Sequence, residues 1–348
     1  MKIEQDVLEI SRIIIVLGNN KINKALTRSE DGGRSVGLKE LKIGRIKIPI
    51  PIIQGGMAVR ISTAPLAAAV ANEGGAGIIA GTGMALDELR REIKKARKLS
   101  NGVIGVNVLF AVREFPSLVK AAMEEGIDLF ISGAGFSRDM FSWGKKWNVP
   151  IVPIVSSAKL AVLAERLGAS AVVAEGKEAG GHLGTDRPMK SILTEVRKAV
   201  KIPVIAAGGI ARGKDIMEAM KLGADGVQIG TLFGASEESN ASQKFKEMYI
   251  EAGSEDVVLI ESPVGMVGRG LKSDLQQMIE KDRAPLIREC QGCLKRCSKK
   301  YCIIEALNNA CRGGDHSKAL IFAGEKVEEV KEILPAKKIF RNLISSFI

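Results

Sequence analysis

Residues 1–289 contain no cysteine; all five lie between Cys290 and Cys311. Disulfides therefore cannot staple the main body of the chain, and a reducing compartment is the expectation. Histidine is scarcer still, with His182 and His316 alone, so any imidazole chemistry falls to one of two side chains. Aromatic residues make up 4% and do not interleave with basic ones, which excludes a stacking surface for single-stranded nucleic acid. Long apolar runs are missing as well. The longest stretch of Ile, Val and Leu is Ile13–Leu17, against the roughly 20 apolar residues of a membrane-spanning helix. The start of the chain mixes acids and bases where a signal peptide is basic and then apolar. The cytoplasm is the expected location, with neither nucleic acid nor membrane as partner.

The chain has 348 residues, of which 46% are hydrophobic and 26% charged, enough to bury a sizeable core. Its net charge of +11 is unevenly spread: residues 281–348 hold 14 Lys/Arg against 8 Asp/Glu, supplying +6 of it. A local excess of this kind reads as a solvated basic face.

Short β-branched runs recur with proline or glycine at their edges and helical patterns between them. One set is Pro51–Gln54, Val103–Asn107, Ile151–Val155 and Pro203–Ala206, with starts 52, 48 and 52 residues apart. A second set, Gly77–Ala80, Asp128–Ile131, Ala171–Ala174 and Gly226–Ile229, interleaves with it. Each member of the second set follows a glycine expected to end a helix, namely Gly75, Gly126, Gly168 and Gly223. The runs are apolar on both faces, as in parallel strands covered by helices. Eight strands and eight crossovers predict a (β/α)8 TIM barrel. The expected organisation is an N-terminal extension over 1–44, the barrel over 45–275, and a cysteine-containing basic tail over 276–348 packed on it. Beyond residue 252 the pattern breaks: Pro263, Gly265, Gly268 and Gly270 mark an irregular loop, the cysteine segment follows, and Val327–Ile333 has a helical pattern.

Active sites of such barrels lie at the C-terminal ends of the strands, and here those ends are polar and glycine-rich. The first delivers Gln54, Gly55, Gly56 and Met57, the third Asn107, and the sixth Glu175 followed by Gly180, Gly181 and His182. Strands seven and eight deliver Gly208, Gly209, Gln228, Gly230 and Thr231. Glycine lets backbone amides approach phosphate oxygens closely, and the last two strands are where barrels bind phosphate. Gly55 and Gly56 offer a flat surface, and Asn107 and Gln228 can match the donor and acceptor edge of an isoalloxazine, or else hydrogen-bond within the barrel. His182, between glycines in a loop at the barrel mouth, is the candidate catalytic residue.

Pro51–Met57, Gly105–Val108, Glu178–Gly184, Ala207–Ile210 and Gln228–Thr231 together resemble the nitronate monooxygenase family, formerly 2-nitropropane dioxygenases, which includes the flavin-dependent enoyl-ACP reductase II branch. The resemblance implies a barrel that binds FMN without a covalent bond. Gln54, Gly55, Met57 and Asn107 would line the ring and Gly180 would approach it. Gly208, Gly209, Gly230 and Thr231 would hold the phosphate, and His182 would be the active-site histidine. Glu175 departs from the glutamine of many members, and Ser262–Arg269 resembles a stretch present in both branches.

The leading expectation is oxidation of alkyl nitronates or nitroalkanes by O2, giving a carbonyl compound and nitrite. His182 would take the α proton of a neutral nitroalkane or orient a nitronate. The alternative is an enoyl-ACP reductase using NAD(P)H, with His182 polarising a thioester carbonyl and the basic tail facing an acidic carrier protein. A barrel that binds FMN or a nucleotide without catalysis is a third option, and a homodimer is left open. Cys290, Cys293, Cys297 and Cys302 recur at short spacings beside Lys295, Arg296, Lys299 and Lys300, which keeps an iron-sulfur cluster, zinc or a redox role open beside ordinary reduced thiols.

Overall fold

The computed structural model describes residues 38–347 apart from Arg288; the Ile13–Leu17 run lies outside the described residues. The chain enters through a two-stranded hairpin, β1 (Leu41–Ile43) and β2 (Ile46–Ile48), turned at Gly44, whose φ is +57°. The alternation of these strands sends Leu41, Ile43, Ile46 and Ile48 into the barrel interior, where they meet Ile53, Ile78, Leu129 and Ile205. The hairpin is thus a plug that fills one end of the barrel with aliphatic side chains, and the boundary expected at 44/45 falls on its turn.

The barrel follows in regular order. It runs through β3 (Ile52–Gln54), α1 (Ala64–Asn72), β4 (Ala76–Ala80), α2 (Leu86–Leu99), β5 (Val103–Leu109), α3 (Phe115–Glu124), β6 (Leu129–Gly133) and α4 (Asp139–Trp147). It continues with β7 (Ile151–Val155), α5 (Ala158–Leu167) and β8 (Val172–Glu175), makes a detour through β9 (Gly181–Leu183) and α6 (Met189–Ala199), and closes with β10 (Val204–Ala207), α7 (Gly213–Lys221), β11 (Gly226–Ile229), the single turn α8 (Thr231–Gly234) and α9 (Gln243–Glu251). β11 pairs with β3, so the eight parallel strands form a closed barrel, as the sequence pattern predicted.

Gly126, Gly168 and Gly223 hold the left-handed conformation at helix ends (φ +75°, +101° and +100°). At the first helix the left-handed residue is Gly74 (φ +86°), which corrects the expectation for Gly75. Gly75 is small for another reason: a Cβ there would stand 2.5 Å from Phe340 Cζ and 2.8 Å from the Ile52 carbonyl oxygen. Helix α4 carries a mid-helix glycine because a Cβ on Gly144 would meet Ile151 Cγ1 at 2.5 Å.

The tail packs on the barrel and contributes to the same core. The segment expected to be an irregular loop is instead a hairpin, β12 (Val257–Glu261) and β13 (Val267–Leu271), and β13 pairs with β9. Gly268 and Gly270 are not turn residues there. A Cβ on Gly268 would meet Phe322 Cε1 at 2.7 Å and one on Gly270 the Ile321 carbonyl oxygen at 2.3 Å, so they let a later strand of chain lie against the hairpin. After α10 (Asp274–Glu280) comes the cysteine segment, then α11 (Ile303–Arg312). Val327–Glu329 forms one 3-10 turn, and the last helix, α12, is Ala336–Ile344, beginning after Pro335. The helical pattern read over Val327–Ile333 therefore ends before the observed helix begins. Ala336, Ile339, Phe340, Leu343 and Ile344 are buried at helical spacing. Burial of a ring such as Phe340 contributes about 1.5–3 kcal/mol.

Candidate active site

The C-terminal ends of the strands open into a cavity of about 230 Å³. Strand parity decides which side chains reach it. Glu175, Ala207 and Gln228 stand in register across β8, β10 and β11, and Ala207 belongs to the interior cluster. In register they share a face, so the Glu175 carboxyl and the Gln228 carboxamide flank the Ala207 methyl on the barrel's inner side. Ile53 pairs with Gln228 and Gln54 with Ile229, which sends Gln54 the other way. Gln54 is fully buried; its Oε1 accepts the Ile78 N–H at 3.0 Å and its Nε2 donates to the Gly55 carbonyl. Of the candidate site residues, Gln54 alone does not line the cavity. Gly55, Gly56, Met57, Asn107, Glu175 and Gly180 do, as do Gly181, His182, Gly208, Gly209, Gln228, Gly230 and Thr231.

Asn107 donates from Nδ2 to the Ile131 carbonyl at 3.3 Å. Gln228 Oε1 is buried and has no hydrogen-bond partner among the described residues. An orphaned acceptor of this kind costs about 1–3 kcal/mol unless a ligand or water satisfies it. Glu175 is held by burial alone: no neighbouring charge offsets the loss of water, and its carboxyl is pushed up to about 8. It is therefore mostly protonated at neutral pH.

His182 lies on strand β9 rather than in a loop, paired with Gly268 of β13. Its Nε2 is 2.8 Å from Ser262 Oγ, and its ring meets Phe322 edge-on with centroids 5.2 Å apart. Burial lowers its pKa to about 4, so the imidazole is neutral near pH 7 and keeps a free basic or donor nitrogen for a ligand. Ser262 and Phe322 were not read from the sequence as site residues, since each is tied to His182 only through the hairpin and the tail.

The tail supplies two further walls that local sequence pattern could not reveal. Leu294, Ile303, Ile304 and Leu307 line an apolar end. Leu294 is fixed there because the cysteine segment is clipped to the loop after β5: Arg113 N–H donates to the Cys293 carbonyl at 2.9 Å, Arg113 Nε to the Leu294 carbonyl at 3.0 Å, and Lys295 N–H to the Ala111 carbonyl at 2.9 Å. Lys326 and Gly324 line the glycine-rich end.

Among the described residues no group of three or more His, Cys, Asp or Glu could hold a metal ion. Cys290 is exposed and Cys293, Cys297 and Cys302 are half-buried. Burial, with the other three thiols nearby, raises Cys293 above its ordinary value. Lys299 N–H donates to Cys297 Sγ at 3.4 Å.

A sequence model of nitronate monooxygenase matches residues 39–346. A dehydrogenase of a hydroxy-methyl-oxo-octahydroindene-carboxyl-CoA from Rhodococcus jostii is 32% identical over 66% of this chain and 65% of its own length. The chain thus spans just under two thirds of that relative. A probable nitronate monooxygenase from Staphylococcus aureus is 31% identical over 66% of this chain and 77% of its own. FabK from Thermotoga maritima superposes with a TM-score of 0.75 at 33% identity, covering 85% of this chain and 92% of that one. Fold and cavity together define a (β/α)8 barrel with a ligand cavity at the C-terminal ends of its strands. Within that class, the chain belongs to the nitronate monooxygenase family.

Proposed function

We propose that the protein binds FMN in this cavity and oxidises alkyl nitronates or nitroalkanes with O2. The observation that carries the reading is the neutral His182 imidazole, held by Ser262 in the lining of the same cavity as the glycine-rich strand ends. The cavity suits the cofactor on two counts. Gln228 Oε1 is an unsatisfied buried acceptor, matched to the imide N–H of an isoalloxazine. Gly208 and Gly209 have φ of +101° and +67°, and a Cβ on Gly208 would stand 3.1 Å from the Ala179 nitrogen; side chains are excluded where a phosphate would need close approach to the backbone. Gly55, Gly56, Met57 and Asn107 would face the ring, and Gly208, Gly209, Gly230 and Thr231 the phosphate.

When bound, the flavin supplies a two-electron acceptor that returns its electrons to O2. The chain does the rest. For a neutral nitroalkane, the unprotonated His182 nitrogen takes the α proton; for a preformed nitronate, His182 donates a hydrogen bond to a nitro oxygen. The neutral Glu175 adds no negative charge beside an anionic substrate. The apolar end keeps water from the reacting carbon.

One observation favours a second reading. Leu294, Ile303, Ile304 and Leu307 offer more apolar wall than a small nitroalkane needs, which suits an enoyl thioester reduced at the expense of NAD(P)H, with His182 donating to the thioester carbonyl. An acyl carrier protein would then be the partner. The visible spectrum of the flavin-loaded protein under anaerobic conditions separates the two. A flavin that ignores NADH and is reduced by an alkyl nitronate supports the monooxygenase, whereas rapid bleaching by NADH alone overturns it in favour of the reductase.

A further inference from the structure

We propose that Lys326, carried by the C-terminal tail, is the counter-cation of the cofactor's phosphate and is held in reserve by Asp215. This rests on the phosphate-bearing flavin proposed above. A phosphomonoester carries close to two negative charges near pH 7. The amides of Gly208, Gly209, Gly230 and Thr231 can donate hydrogen bonds to it but bring no formal charge, and a buried anion without compensation is costly. The acids in the lining, the neutral Glu175 and also Glu178, bring no positive charge. Among the described residues of the lining, Lys326 is the one Lys or Arg.

The tail backbone is fixed at the glycine wall. Gly324 N–H donates to Thr231 Oγ1 at 3.0 Å and Glu325 N–H to the Glu178 carbonyl at 3.0 Å. The Glu325 carboxylate is paired with Arg269 at 2.9 Å, and Val327, next along, is fully buried. The Lys326 backbone therefore cannot drift away from the wall, while its side chain, 39% exposed, can turn. Lys326 Nζ rests 2.6 Å from Asp215 Oδ1. Asp215 has a separate duty: its Oδ2 accepts the N–H groups of Ala211 at 3.0 Å and Arg212 at 2.9 Å, closing the first turn of α7. The carboxylate thus stays in place whether or not Lys326 remains on it. A four-carbon stem with a rotating ammonium can pass from one anion to the other, so phosphate binding exchanges one ion pair for another rather than burying a lone charge.

The test compares FMN with riboflavin, which lacks only the phosphate, by titrating flavin-free protein and following the quenching of flavin fluorescence. Wild type should bind FMN more tightly than riboflavin. Lys326→Met should weaken FMN about ten- to a hundredfold, as for loss of a charge-assisted contact, and leave riboflavin unchanged; Lys326→Arg should retain most of the FMN affinity. Asp215→Asn keeps an acceptor for the α7 turn and frees the lysine, so FMN should bind as tightly as in wild type or more tightly. Equal effects of Lys326→Met on both flavins, no effect on either, or weaker FMN binding in Asp215→Asn would overturn the assignment of Lys326 while leaving a flavin site intact. Wild type that quenches neither flavin would instead overturn the flavin reading, and this assignment with it.

Discussion

Replacing Glu175 by glutamine removes a titration while keeping the shape of the side chain, and the structure sets both its sign and its size. The carboxyl has an ordinary value of 4.5 and is pushed to about 8 in the folded protein by burial alone. A folded-state pKa above the unfolded one means stability that is complete below pH 4.5 and is lost as pH rises through 8. Linkage over that interval gives a loss of roughly 1 kcal/mol at pH 5 and about 3 kcal/mol at pH 7. Glutamine carries no such loss. Denaturant unfolding of flavin-free wild type and Glu175→Gln between pH 5 and pH 8 should therefore show a stability gap that widens with pH in favour of the variant, by about 2 kcal/mol between pH 5 and pH 7. Comparing the two proteins at each pH cancels every other titrating group. A gap that stays flat across this range, or one that closes as pH rises, would refute the view that Glu175 sits neutral in a dry wall.

Other residues give equally direct outcomes. His182→Ala should retain flavin yet lose turnover by about 10²-fold or more, as for removal of an acid or base, measured by steady-state kinetics beside flavin content; unchanged turnover would reduce His182 to a strand residue. Gly208→Ala forces a Cβ at φ +101° to within 3.1 Å of the Ala179 nitrogen, at a cost of about 1–2 kcal/mol, and should yield folded protein purified with little or no flavin. Thiol labelling of the native protein should modify the exposed Cys290 first and the buried Cys311, whose pKa burial raises, only on unfolding; mass spectrometry of partly labelled protein reads the order.

The barrel was legible because its strands are short apolar runs buried on both faces, a pattern that survives without knowledge of partners. Where glycine reports a turn, as at Gly126 and Gly168, sequence and structure agree. Where glycine reports close packing against distant chain, sequence misleads. Gly75 makes room for Phe340 and Gly268 for Phe322, and neither neighbour can be inferred locally. The same distinction governs the site. The strand-end residues expected from position line the cavity, except Gln54, which the alternation of its strand turns outward next to the inward Ile53. Ser262, in the β12–β13 hairpin, meets His182 through the β9–β13 pairing, while Phe322 and Lys326, 140 and 144 residues beyond His182 in the tail, line the cavity where the tail meets Thr231. Local signals could not have found Phe322 or Lys326, whereas the Ser262–Arg269 stretch marked Ser262 without giving it a role.

A crystal structure of the protein grown with FMN tests the central claim most directly. The phosphate should lie against Gly208, Gly209, Gly230 and Thr231, with the ring between the Gly55–Met57 backbone and His182 and its imide edge on Gln228. Flavin bound elsewhere, or a cavity without flavin at saturating FMN, would contradict the account.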